Sequence, residues 1–151
     1  MKNLKKLQIE QLDRKLAGLA SFPEAPAKGW IHGIRTALKM SFRQFGNRLG
    51  ITAQSAQEIE EREKNGNITL KNLREVAHAM EMKLVYGFVP KESSFENMLD
   101  KQAMNVARKI VMRTDNTMKL EDQQVSKERF EKAVRELADD IKREMPRYLW
   151  D

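Results

Sequence analysis

The sequence predicts a mainly α-helical fold with one short strand. Three observations lead there. Apolar residues recur three and four positions apart through most of the chain. Ser41, Thr52, Thr69 and Ser93 each stand just ahead of such a run, where a hydroxyl can cap a helix. One stretch, 83–89, instead concentrates β-branched and aromatic side chains. With 151 residues, 40% hydrophobic and 33% charged, the chain suits one ordinary domain, or a small domain with helical additions, and is too apolar for wholesale disorder.

The elements follow in order. Leu4, Leu7, Leu12, Leu16 and Leu19 fall at helical spacings and predict an N-terminal helix. Pro23, Pro26 and Gly29 then mark 21–29 as a linker. Helical periodicity resumes over 30–40 through Trp30, Ile34 and Leu38. Ser41 with Gln44 forms a capping box. The helix it opens, over 42–49, stops at Gly50, which tolerates the left-handed conformation of a helix exit. Thr52 caps a helix over 53–62, and Thr69 caps one carrying Leu70, Leu73, Val76, Ala77 and Met80. The strand at 83–89 ends at Pro90. Ser93 with Glu96 is a second capping box, opening a helix with Phe95, Leu99, Val106 and Ile110 on one stripe. After a polar break, Phe130, Val134, Leu137, Ile141 and Met145 share one face of a last helix that stops at Pro146.

Composition removes several kinds of function. The chain has no cysteine, so disulfides, zinc fingers and thiol nucleophiles are excluded. His32 and His78 are too few for a histidine metal site, and the nine methionines read as core fillers. No apolar run approaches the roughly 20 residues a membrane span needs, and no secretory signal is evident. We expect a cytoplasmic protein that does not engage a membrane. No glycine-rich phosphate loop, nucleophile triad or acidic metal cluster stands out, so neither an enzyme nor a cofactor is expected. The net charge of +6 is unevenly spread: +3 in 1–28, +3 in 29–90 and zero in 91–151. A basic excess confined to the first ninety residues suits a polyanion partner there.

Residues 42–61 satisfy the steric pattern of a helix-turn-helix unit. The fifth position must be small, because the second helix packs on it, and it is Gly46. The ninth must permit the turn, and it is Gly50. Core contacts fall on Phe45, Leu49, Ile51, Ala56 and Ile59. The expected organisation is therefore an N-terminal helix and linker over 1–29 and a five-helix DNA-binding domain over 30–82. A strand with C-terminal helices for dimerisation or partner binding completes it over 83–151.

Residues 30–80 resemble the five-helix repressor fold of phage and plasmid regulators, the Xre class, with Thr52-Ala53-Gln54-Ser55-Ala56-Gln57 similar to their recognition helix. The whole chain resembles the mobile mystery protein A family. The stretches that carry this are Gly29-Trp30-Ile31, Leu84-Val85-Tyr86-Gly87-Phe88-Val89-Pro90, Thr117-Met118-Lys119-Leu120-Glu121-Asp122-Gln123 and the ending Pro146-Arg147-Tyr148-Leu149-Trp150-Asp151. The resemblance implies a transcription regulator, the antitoxin half of a pair whose other half is a Fic-domain protein.

It also implies that the helix from Ala53 lies in the major groove and the helix from Phe42 crosses the backbone. Gln54 is then the best base reader, since its amide can donate to and accept from adenine at once. Gln57 lies on the same side, with Ala53, Ser55 and Glu58 around it. Thr52, Ser41, Arg43 and, more loosely, Lys39 suit the phosphate backbone, while Arg35 and Arg48 reach either phosphate or a carboxylate. Glu58, Glu60, Glu61 and Glu63 oppose phosphate unless they point inward or pair. Glu58 either accepts from a cytosine amine or pairs with Arg62 four residues on.

A second function is inhibition of the partner enzyme. Thr117 and Glu121, four apart, resemble the Fic inhibitory motif, in which the glutamate pairs with an active-site arginine; Asp122 replaces the glycine or asparagine of that pattern. The bland alternative is a helix cap with a solvated glutamate. For assembly, a lone strand needs a partner. Leu84, Val85, Tyr86 and Phe88 are therefore expected either to pair with their counterparts in a two-fold homodimer on a palindromic operator, or to pack on their own core while the C-terminal helices dimerise.

Overall fold

The structure, a computed structural model, describes residues 4–114 and 123–151. Among the described residues it is mainly α-helical, with seven α-helices: α1 (Leu4–Leu16), α2 (Trp30–Ala37), α3 (Phe42–Leu49), α4 (Ala53–Lys64), α5 (Leu70–Ala79), α6 (Phe95–Thr114) and α7 (Gln123–Glu144). Short 3-10 turns follow α1 at Ala17–Leu19 and α7 at Arg147–Trp150. The chain divides into two compact units, Phe22–Gly87 and Met1–Ser21 with Phe88–Asp151.

The first unit holds α2 to α5 around Ile31, Phe45, Ala56, Val76 and Met80. Local chemistry explains why its helices are short. Ser41, Thr52 and Thr69 each accept a hydrogen bond from an amide three residues on, at 3.1 Å. Each helix also ends on a left-handed residue: Lys39, Gly50, Gly66 and Glu81, with φ of 57°, 72°, 76° and 57°. In every case the next amide reaches five residues back, as Met40 N–H does to Arg35 O at 3.0 Å and Ile51 N–H to Gly46 O at 2.9 Å, which stops the helix.

The second unit is built on the antiparallel pair α6 and α7. Leu99, Ala103 and Ala107 of α6 meet Phe130, Val134, Ala138 and Ile141 of α7, and Leu149 closes the core. The predicted α7 stripe is therefore the packed one, with Leu137 and Met145 at its margin. Helix α1 joins this unit, contrary to the expectation of a separate N-terminal segment. Asp13 explains why: its carboxylate accepts from the amides of Phe95 at 2.7 Å and Glu96 at 3.3 Å, the first two free donors of α6. Ser94 Oγ takes the third, from Asn97 at 3.0 Å. The cap of α6 is thus Ser94 rather than Ser93, whose hydroxyl instead meets the Asn97 side chain.

Two further expectations are corrected. The segment 83–89 forms no strand, because no second strand exists among the described residues to receive its amides and carbonyls. Residues 30–82 hold four helices rather than five, because the chain leaves helical geometry after Glu81 closes α5. In α1, Leu4, Leu7 and Leu12 are exposed, and the half-buried residues are Ile9, Glu10, Asp13 and Leu16, on the side of the Asp13 cap.

Candidate nucleic-acid interface

The site grows from the α3–α4 turn. Phe45 and Ala56 are fully buried, and Leu49, Ile51 and Ile59 pack at the edge of the same core, as the sequence pattern requires. A Cβ on Gly46 would lie 2.7 Å from Ile51 O and 2.9 Å from Thr52 O. The position must be bare because the carbonyls of the turn press on it, not because a helix side chain does. The capping box is complete: Ser41 Oγ accepts from the Gln44 amide, and Gln44 Oε1 accepts from the Ser41 amide at 2.8 Å.

These constraints fix which way α4 faces. Ala56 and Glu60 point inward, while Ala53, Gln54, Gln57 and Glu58 are exposed on the other side. Among the described residues, neither glutamine side chain makes a hydrogen bond within the chain, so both amides are available. Arg43 is exposed in the first turn of α3 and has no ion-pair partner among the described residues, and Lys39 is exposed at the exit of α2.

Hydroxyl geometry sorts the polar candidates. Thr52 Oγ1 accepts from the Ser55 amide at 3.1 Å and shares a hydroxyl–hydroxyl hydrogen bond with Ser55 Oγ at 3.0 Å. That bond uses one of the two hydroxyl protons, so the Thr52–Ser55 pair keeps one for a phosphate. Ser41 accepts in its cap and likewise retains a free proton.

The acidic run on α4 resolves in the same way. Glu60 is buried and accepts from Arg35 Nε at 2.6 Å and Nη2 at 3.1 Å, with His32 Nδ1 at 2.6 Å. Burial pushes the Glu60 carboxyl up, but the hydrogen bonds from Arg35 and His32 and the Arg35 charge outweigh it and hold the group below the ordinary carboxylate range. Arg35 also donates to Met40 O at 2.9 Å and stacks 3.9 Å over the Phe42 ring. Of its two expected partners it takes the carboxylate, and it is not a phosphate ligand. Glu63 accepts from Ile31 N–H, in the first turn of α2, at 2.8 Å, beside Gly29, where a Cβ would lie 2.6 Å from the Glu63 carboxylate. Arg48 donates to Ala79 O at 3.2 Å, at the C-terminal end of α5. The expected Glu58–Arg62 pair does not form, so Glu58 stays exposed and acidic.

Sequence reasoning missed the roles of His32 and Glu63. The available signal was weak: His32 with Glu60, and Ile31 with Glu63, lie 28 and 32 residues apart, so only the fold joins them. Thr117 and Glu121 lie outside the described residues. No group of three or more potential metal ligands occurs among the described residues, and no described helix is long and apolar enough to cross a membrane. Compared with protein-family models, curated proteins and solved structures, the chain matches none.

Proposed function

We propose that this protein is a sequence-specific double-stranded DNA-binding regulator, an autorepressor that meets a palindromic operator as a homodimer. One observation carries the reading: the outward face of α4 presents Gln54 and Gln57 one helical turn apart, and among the described residues neither amide is hydrogen-bonded and exposed Arg43 in the first turn of α3 has no ion-pair partner. A helix held by its inner face and carrying two free amides outward suits direct readout of base edges in a major groove. Ser41 and the Thr52–Ser55 hydroxyl pair supply hydroxyl protons for phosphate. Turning Glu60 and Glu63 inward removes two of the four α4 carboxylates that would repel it. The exposed Glu58 is an acceptor that a cytosine amine complements.

The test compares a selected operator with random duplex. Gln54→Ala is expected to cost about 1–3 kcal/mol on the operator and little on random DNA, as loss of a bidentate base contact does. Arg43→Ala is expected to weaken both and lower the slope of log affinity against log salt by about one unit. Equal losses for Gln54→Ala on both duplexes would refute base reading. A Fic-domain partner, inhibited through Thr117 and Glu121, is part of the proposal on the sequence resemblance alone. Co-purification of the two chains, weakened by Glu121→Ala, is its test.

A further inference from the structure

We propose that residues 83–87 pair antiparallel with the same residues of a second copy, centred on Val85, and that this pairing covers an apolar groove on the helix-turn-helix unit. The inference deepens the DNA-binding reading and rests on it for the need of a two-fold pair, but its observations are independent of DNA.

The first is an unmet main chain. Residues 83–87 are neither helix, turn nor bend, and among the described residues none of their amides or carbonyls meets another backbone group. The last backbone bond before them, Met82 N–H to Ala77 O at 2.7 Å, belongs to the end of α5. One side-chain tie is present, Arg74 Nη2 to Tyr86 Oη at 3.3 Å. A strand-forming sequence with no ladder among the described residues is a conflict between local preference and tertiary structure, and a second strand removes it.

The second is the surface beside it. Val85 and Tyr86 are each 56% exposed and Met82 is 43% exposed. They border a groove of about 440 Å³ walled by Trp30, Ile34, Leu73, Met80 and Leu84. Apolar side chains that project next to an apolar hollow are what a self-complementary interface needs, since each copy offers both halves.

The third is charge. Lys83 is the one charged residue of the five. In a register centred on Val85, Lys83 lies opposite Gly87 of the other copy and Leu84 opposite Tyr86, so all five residues pair and no like charges meet. A register centred on Lys83 would set two lysines against each other. An acidic strand from another protein would suit Lys83, but it would leave the projecting Val85 and Tyr86 without a matching hollow.

The absence of cysteine makes the test direct. On the axis, residue 85 faces its own counterpart at a Cβ separation of about 4.5–5.5 Å, near disulfide reach. Under mild oxidation the full-length Val85→Cys chain is expected to trap a dimer, and Leu84→Cys mixed with Tyr86→Cys to trap a mixed one. Met112→Cys and Trp150→Cys, exposed in the other unit, are expected not to. Val85→Pro, with helical circular dichroism retained, is expected to weaken the dimer about tenfold or more in sedimentation. A chain that sediments as a monomer at high micromolar concentration overturns the proposal. So does a dimer trapped at Met112→Cys or Trp150→Cys but not at Val85→Cys, or a dimer indifferent to Val85→Pro. A dimer trapped at Val85→Cys that ignores operator DNA would refute the DNA-binding reading and leave the pairing standing; a monomer that reads the operator would do the reverse.

Discussion

The two units solve one problem, holding amphipathic helices together, by different means. In the α6–α7 unit, long helices meet along Leu99, Ala103, Ala107, Phe130, Val134, Ala138 and Ile141, and the charged pairs stay at the margin, as Arg108–Glu131 and Lys142–Asp100 do. In the α2–α5 unit the helices are 8 to 12 residues long, the core cluster has five buried members, and a charged group, Glu60, sits inside. Apolar contact is non-directional, so a long stripe can slide or rotate at modest cost. A carboxylate gripped by Arg35 and His32 sets the rotation of α4, because any turn of that helix would leave a buried charge unpaired. On the proposed DNA-binding reading, a unit that presents Gln54 and Gln57 at a defined angle gains from that rigidity.

The sharpest way to break this contrast is Arg35→Met. It removes the main partner of a buried carboxylate and is expected to cost about 3–5 kcal/mol in denaturant unfolding. The same carboxylate gives a pH signature. Its folded pKa is depressed, so its contribution is present above the unfolded value and is lost as pH falls through the folded one. Glu60→Gln should flatten the acid limb of the stability profile below the ordinary glutamate range.

Gly46→Ala comes next. The added methyl would meet the Ile51 and Thr52 carbonyls and is expected to cost about 1–3 kcal/mol with loss of the α3–α4 angle. Gly33→Ala, with nothing within 4 Å of its Cβ, is the control and should stabilise the protein slightly in a thermal melt. In the other unit, Asp13→Ala uncaps α6 and is expected to cost about 1 kcal/mol, again by denaturant unfolding. The smallest effect belongs to Arg108→Met. Its pair with Glu131 is solvent-exposed, and the melting temperature should shift within experimental error. A loss as large as that of Arg35→Met would end the distinction between the two units.

What the sequence determined by itself was local. Ser41 with Gln44, Thr52 and Thr69 bond amides three residues away, and Gly50 acts on its own φ, so each was legible from spacing alone. The helix-turn-helix core was legible for the same reason, because Phe45 to Ile59 spans only two helices and a turn. The tertiary structure decided the rest. It brought Asp13 to Phe95, Glu60 to His32 and Arg35, and Glu63 to Ile31, pairs separated by 25 to 82 residues that no periodicity encodes. It also decided against a strand at 83–89 within one chain. Side-chain preference states only that a segment would pair well, whereas a ladder forms only where another main chain lies alongside to complete the hydrogen bonds.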